Sequence, residues 1–186
     1  MTASFRHCPI EAISFDLNGA MLDSGAQMAA AINVLFRACG LERFLAGEIA
    51  RHVGWVSRKL IKSAFASRGA ILSYEQIVAQ EKLYLANYAS IAERDTVFFP
   101  GAINLIGALV ERERRLGICT NKQAGIARVI LEKVKLLPMF GAIIGGDSGF
   151  GLKPSPATLY AALQCLKATS PRACTASGSS NLDHSL

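Results

Sequence analysis

Four places in this chain put reactive or polar side chains directly after an apolar run or at the opening of a helix. Asp16 and Asn18 follow Ala12-Ile-Ser-Phe15. Thr120 and Asn121 follow Leu116-Gly-Ile-Cys119. Lys153 precedes a helical stretch, and Ser179 with Asp183 follows the run beginning at Ala173. Brought to one point, these residues suit phosphoryl chemistry. A carboxylate such as Asp16 can accept a phosphoryl group. Thr120 and Lys153 can bind its equatorial oxygens. Acidic groups can hold Mg²⁺, which takes oxygen ligands and few protein carboxylates. The competing reading is that Asp16 and Asn18 only form a turn.

The elements that must position these residues follow from the apolar pattern. A chain of 186 residues fits one domain, or one domain with a small insertion. The run 12–15 reads as a buried strand. Helices are expected over 26–39, closing at Gly40, and over 57–68, with Ser57 as N-cap. Ser73 with Gln76 forms a capping box for a third helix reaching about Arg94. Nothing between 22 and 94 reads as a strand. From Pro100-Gly101 onward the order changes. A helix to about Arg115 precedes a strand at 116–120, a helix at 123–135 and a strand at 142–145. A helix running to Lys167 and a strand at 173–177 follow. This αβαβαβ order predicts an α/β fold, a doubly wound parallel sheet with helices on both faces. The expected division is a core of residues 1–21 and 95–186, with an all-helical cap of 22–94 inserted after the first strand. Ligand sites in such sheets lie beyond the carboxyl ends of the strands, where the four polar places fall.

Composition narrows the partners. The formal net charge is +6, with charged residues at 18% and hydrophobic residues at 51%. No arginine-rich run or aromatic interleaving accompanies that charge, which argues against a nucleic-acid clamp. Arg112, Arg114 and Arg115 alternate with Glu111 and Glu113 and read as a solvated helix end. No stretch approaches the ~20 apolar residues that span a bilayer, and the N-terminus lacks the pattern of a signal peptide. Cys8, Cys39, Cys119, Cys165 and Cys174 are scattered without a CxxC pair, which argues against a disulfide framework or a zinc site. The reading is a cytoplasmic protein whose cysteines are mostly small core residues.

The motifs themselves resemble a known family. Phe15-Asp16-Leu17-Asn18-Gly19-Ala20-Met21-Leu22-Asp23-Ser24 is similar to F-D-x-D-G-T-L-x-D-S, the first motif of haloacid dehalogenase-type phosphatases. Thr120-Asn121-Lys122 resembles the second motif and Gly151-Leu-Lys153-Pro154 the third. Ser177-Gly178-Ser179-Ser180-Asn181-Leu182-Asp183 resembles the fourth, G-D-S-x-x-D. Phe99-Pro100-Gly101 and Ile144-Gly-Gly-Asp147 match the phosphoglycolate phosphatase branch. The resemblance implies a Mg²⁺-dependent hydrolase of small phosphorylated metabolites, typically 2-phosphoglycolate. Asp16 would be the nucleophile, and residue 18 the general acid, with its carbonyl facing the metal. Thr120, Asn121 and Lys153 would bind phosphate. Asp16, residue 18, residue 179 and Asp183 would hold Mg²⁺.

This chain departs from the pattern at informative positions. Asn18 replaces the aspartate that would move protons, and an amide neither delivers nor takes a proton at neutral pH. Ala20 replaces a threonine, and Ser179 replaces the main metal-binding aspartate. Val56 stands where the branch has glycine, so backbone strain is expected there. The chain ends three residues after Asp183, where the family continues, so bracing of the fourth motif is expected to be weak. The expectation is a phosphatase by ancestry with turnover weakened or lost. The rival is a non-catalytic phosphate-binding or interaction module that keeps the fold. Lys122 reads as a rim charge, His7, His52 and His184 as structural or solvated, and Gly145-Gly146 as a loop.

Overall fold

The computed structural model describes residues 10–168 and 173–176. Strand β1 (Ala12–Phe15) leads into helices α1 (Gly25–Ala38), α2 (Ala46–Ile49), α3 (Ser57–Ala66) and α4 (Tyr74–Asp95). Then come α5 (Ala102–Glu111), β2 (Arg115–Cys119), α6 (Ala124–Lys133), β3 (Phe140–Ile144), α7 (Ala157–Cys165) and β4 (Ala173–Ala176). The four strands form one sheet in the order β3-β2-β1-β4, and every pairing is parallel. This is the predicted α/β architecture, with a run of helices between the first and second strands.

Side-chain alternation along the strands assigns the two faces of the sheet. Leu116 and Ile118 of β2 join the main core, together with Phe15, Ile126 and Ile130. Between them in the sequence, Gly117 lies against Leu166, and Cys119 packs with Ala161 and Ala162 of α7. Helix α6 thus lies in the same core as the helical insertion, and α7 covers the other face. The insertion builds its share of that core from helical stripes. Met28, Ala31, Ile32, Leu35 and Phe36 recur on one side of α1, and Leu60, Ile61, Ala64 and Phe65 on one side of α3. Phe36 meets Phe44 and Phe65 edge-on, at centroid distances of 5.9 and 5.0 Å.

The capping box at Ser73 forms as expected. The Gln76 N–H donates to the Ser73 hydroxyl, and the Ser73 N–H to the Gln76 side chain at 2.8 Å. Other expectations need correction. Helix α3 is capped by Val56, not Ser57, whose hydroxyl instead donates to Glu81. Val56 sits at φ −69° and ψ 147°, an ordinary extended backbone, so no glycine-like strain exists there. The short helix α2 escaped the sequence reading because four residues carry no periodicity. Arg115 is no solvated helix end. It lies in β2, pairs with Glu11 at 2.9 Å and donates to the carbonyls of Leu166 and Lys167. Cys119 is buried, but Cys39 and Cys165 are exposed and not core residues. Cys8, His7 and His184 lie outside the described residues. No helix among those described is long and apolar enough to cross a membrane.

Candidate active site

Asp16 is the first residue past β1, and its side chain is 3% exposed. One carboxylate oxygen accepts from the Leu17 N–H at 2.7 Å. The other receives the Lys153 ammonium at 2.7 Å. A carboxylate this enclosed is tolerated because it is paired and hydrogen-bonded. Thr120 is the first residue past β2, which lies beside β1 in the sheet. Its side chain is buried, and its hydroxyl oxygen accepts from the Lys122 N–H at 3.2 Å. Asp16, Thr120 and Lys153 therefore gather at the carboxyl ends of the strands.

Asn121 holds this arrangement together. Its amide oxygen accepts from the Lys153 N–H at 2.8 Å. Its amide nitrogen donates to the Lys153 carbonyl at 3.3 Å and to the Gly54 carbonyl at 3.0 Å. The side chain expected to touch phosphate thus clamps the Lys153 loop to the β2 loop and to the helical insertion. The β3 loop adds a second brace. Thr120 N–H donates to the Ile144 carbonyl, and Gly146 N–H to the Lys122 carbonyl, both at 2.9 Å. A Cβ at Gly145 would collide with the backbone of Ala124 and lie 2.7 Å from the Lys122 carbonyl. Only glycine permits so close an approach. Asp147 accepts from the Ala124 N–H at 2.8 Å, at the start of α6, a favourable place for an acidic side chain. Gly145-Gly146, expected only as a loop, thus has a bracing role. The signal was a Gly-Gly-Asp run directly after a strand.

The other side of the site is less satisfied. Asn18 lies in the turn after β1, and its amide oxygen is enclosed without a hydrogen-bond partner among the described residues. Lys122 is not a rim charge. Its ammonium donates to the Tyr88 hydroxyl at 2.6 Å and lies 3.8 Å from the centre of the Tyr88 ring. Burial pushes its pKa down to about 7, against an upward pull from the Asp16 carboxylate. Burial also pushes the Tyr88 hydroxyl well above its ordinary value, partly offset by Ser24. Asn18, Trp55, Leu60, Tyr88, Asn121 and Lys122 line part of a cavity of about 40 Å³ at the junction of insertion and sheet.

Two expected site residues, Ser179 and Asp183, lie outside the described residues. Among those described, no group of three His, Cys, Asp or Glu side chains converges. What remains suits a hard cation in kind. Asp16 offers a carboxylate, whose oxygens accept more than one bond each, and Asn18 offers an enclosed, unpartnered oxygen. Mg²⁺ commonly takes one or two protein carboxylates and fills its remaining positions with water.

The family model of the haloacid dehalogenase-like hydrolases matches residues 13–176. This chain belongs to that family. Within it, this haloacid dehalogenase-like hydrolase falls in the phosphoglycolate phosphatase branch. It is 34% identical over 154 residues to a phosphoglycolate phosphatase of Cereibacter sphaeroides, covering 83% of this chain and 71% of that one. A phosphoglycolate phosphatase of Caulobacter vibrioides is 29% identical over 151 residues, covering 81% and 64%. The chain thus spans about two thirds of the length of these curated relatives. The fold also matches the crystal structure of CbbY from Rhodobacter sphaeroides in complex with phosphate. The TM-score is 0.75 at 22% identity, covering 89% of this chain and 76% of that one.

Proposed function

We propose that this chain is a phosphoric monoester hydrolase of the phosphoglycolate phosphatase type, with turnover held back at the proton-transfer steps. The observation that carries the reading is the enclosed Asp16–Lys153 pair at the strand ends. In this mechanism an Asp16 oxygen attacks phosphorus as the ester P–O bond breaks, and the alkoxide leaves with the bonding pair. Lys153 and Thr120 bind the phosphoryl oxygens, and Asn121 positions Lys153. Water then attacks the aspartyl-phosphate, releasing phosphate and restoring the carboxylate. Asn18 neither protonates the alkoxide nor deprotonates the water, and such help is worth typically ~10²–10⁴-fold. Mg²⁺ held by Asp16 and Asn18, with Ser179 and Asp183, would supply charge neutralisation at the phosphoryl group. Residues 22–94 act as the cap that excludes water, and residues 1–21 and 95–186 as the core.

A second reading is favoured by Asn18, Ala20 and Ser179: a module that binds phosphate without turning it over. One experiment separates the two. Phosphate release from p-nitrophenyl phosphate and from 2-phosphoglycolate is followed with and without Mg²⁺, in the natural chain and in Asp16→Asn. The expected result is slow, Mg²⁺-dependent release that favours p-nitrophenyl phosphate, whose leaving group needs no proton, and that vanishes in Asp16→Asn. Release that is absent in the natural chain, or unchanged in Asp16→Asn, rejects the hydrolase.

A further inference from the structure

The ammonium of Lys122 is the odd group in this site. Sinking a charge away from water is costly unless an opposite charge meets it. Lys153 has Asp16 at 2.7 Å. For Lys122 the described partners are a neutral hydroxyl and the face of one ring, both from Tyr88. Burial outweighs the attraction of Asp16, which is already bound to the other lysine. The fold therefore carries a part-buried cation that makes no ion pair with a described side chain, Asp16 being taken by Lys153.

The cavity beside it indicates where that counter-charge would come from. It is lined by Asn18, the residue next but one to the phosphoryl acceptor, and by Asn121, which clamps Lys153. It therefore adjoins the place where the ester's leaving group would lie. Its roughly 40 Å³ compares with the ~10–15 Å³ that admits one water, so it takes a terminal group of about three heavy atoms, the size of a carboxylate. Trp55 and Leu60 supply apolar wall, and Lys122 the one cationic group among the cavity's described lining residues.

We propose that Lys122, held in place by Tyr88, is the specificity-determining residue that recognises a carboxylate on the leaving group of a small phosphate ester. The inference rests on the phosphoryl site proposed at Asp16 and Lys153. It assigns the selection of an acidic leaving group to one ammonium. The bound carboxylate gives Lys122 the ion pair it lacks among the described residues, and the short reach of the cavity rejects longer acids.

The test uses two hydrolysis-resistant probes that differ only at the far end: 3-phosphonopropionate, which ends in a carboxylate, and propylphosphonate, which ends in a methyl. Calorimetric affinities are measured for the natural chain, Lys122→Met and Lys122→Arg. The natural chain is expected to prefer 3-phosphonopropionate by at least 10-fold. Lys122→Met should lose that preference, and Lys122→Arg should keep part of it. A purely structural role would weaken both probes alike and leave their ratio unchanged, which overturns the inference. Equal affinity of the natural chain for the two probes overturns it as well, while leaving the phosphoryl site standing. Binding of neither probe removes the phosphoryl site and this inference together. If Lys122→Met does not fold, Tyr88→Phe, which frees the ammonium from its tether, must narrow the ratio. An unchanged ratio there rejects the proposal.

Discussion

The two sides of the site differ in how their polar groups are satisfied. At the strand ends, Asp16, Thr120, Asn121 and Lys153 bond to one another and to the backbone, and Gly145 and Gly146 let the supporting loops touch. At the junction with the helical insertion, the Asn18 amide oxygen has no hydrogen-bond partner among the described residues, and the Lys122 ammonium meets Tyr88 and the pull of the Asp16 carboxylate. The first side is complete as it stands. The second stores desolvation cost that a ligand can relieve. Under the proposed mechanism this difference assigns phosphoryl binding and leaving-group handling to separate residues, with the substitution at position 18 on the second side.

The sharpest way to break this comparison is to make the same change on both sides. Lys153→Met strands the Asp16 carboxylate in a site where it is 3% exposed. Removing one partner of such a pair costs roughly 3–5 kcal/mol, and the melting temperature should fall steeply. Lys122→Met removes a charge that the fold already holds at a cost, so the melting temperature should stay level or rise. Equal losses in the two variants would show that the two lysines are held alike and would erase the distinction.

A smaller effect sharpens the comparison from within the insertion. His52 is buried, with its ring nitrogens 3.0 Å from the Glu48 carbonyl and 3.0 Å from the Ser63 hydroxyl. The carbonyl can only accept, so Nδ1 donates, and Nε2 takes the Ser63 proton. Burial lowers the His52 pKa below its ordinary 6.5. Below that value the unfolded chain takes up a proton that the folded chain refuses. Stability is therefore full above about pH 6.5 and declines as pH falls from there towards the folded-state pKa. His52→Gln should flatten the fall in melting temperature between roughly pH 7 and pH 5. An unaltered slope would place that acid sensitivity elsewhere.

Much of this architecture was legible from local pattern. Short apolar runs ending at Asp16 and Thr120 marked parallel strands, because strands buried on both faces carry little else. Ser73 and Gln76 marked a helix start through their reciprocal bonds. The order of motifs identified the family before any coordinates. What escaped was relational. A lysine after Thr-Asn looks solvated until Tyr88, 34 positions away, is seen to enclose it. Asn121, whose type and place suit a phosphate ligand, also bonds Gly54 and Lys153, a bracing that no local pattern announces. The glycine expected at position 56 proved dispensable, because the left-handed backbone falls at Gly54, φ +85°, and not at Val56.

The account stands or falls on Asp16 as the atom that takes the phosphoryl group. The direct measurement is intact and peptide mass spectrometry after brief exposure to p-nitrophenyl phosphate and Mg²⁺. The natural chain should gain one phosphoryl group on Asp16. That label should persist, because Asn18 does not activate water, and it should turn over faster when Asn18→Asp and Ser179→Asp are combined. An unlabelled Asp16, or equal labelling of an Asp16→Asn chain, would contradict the account.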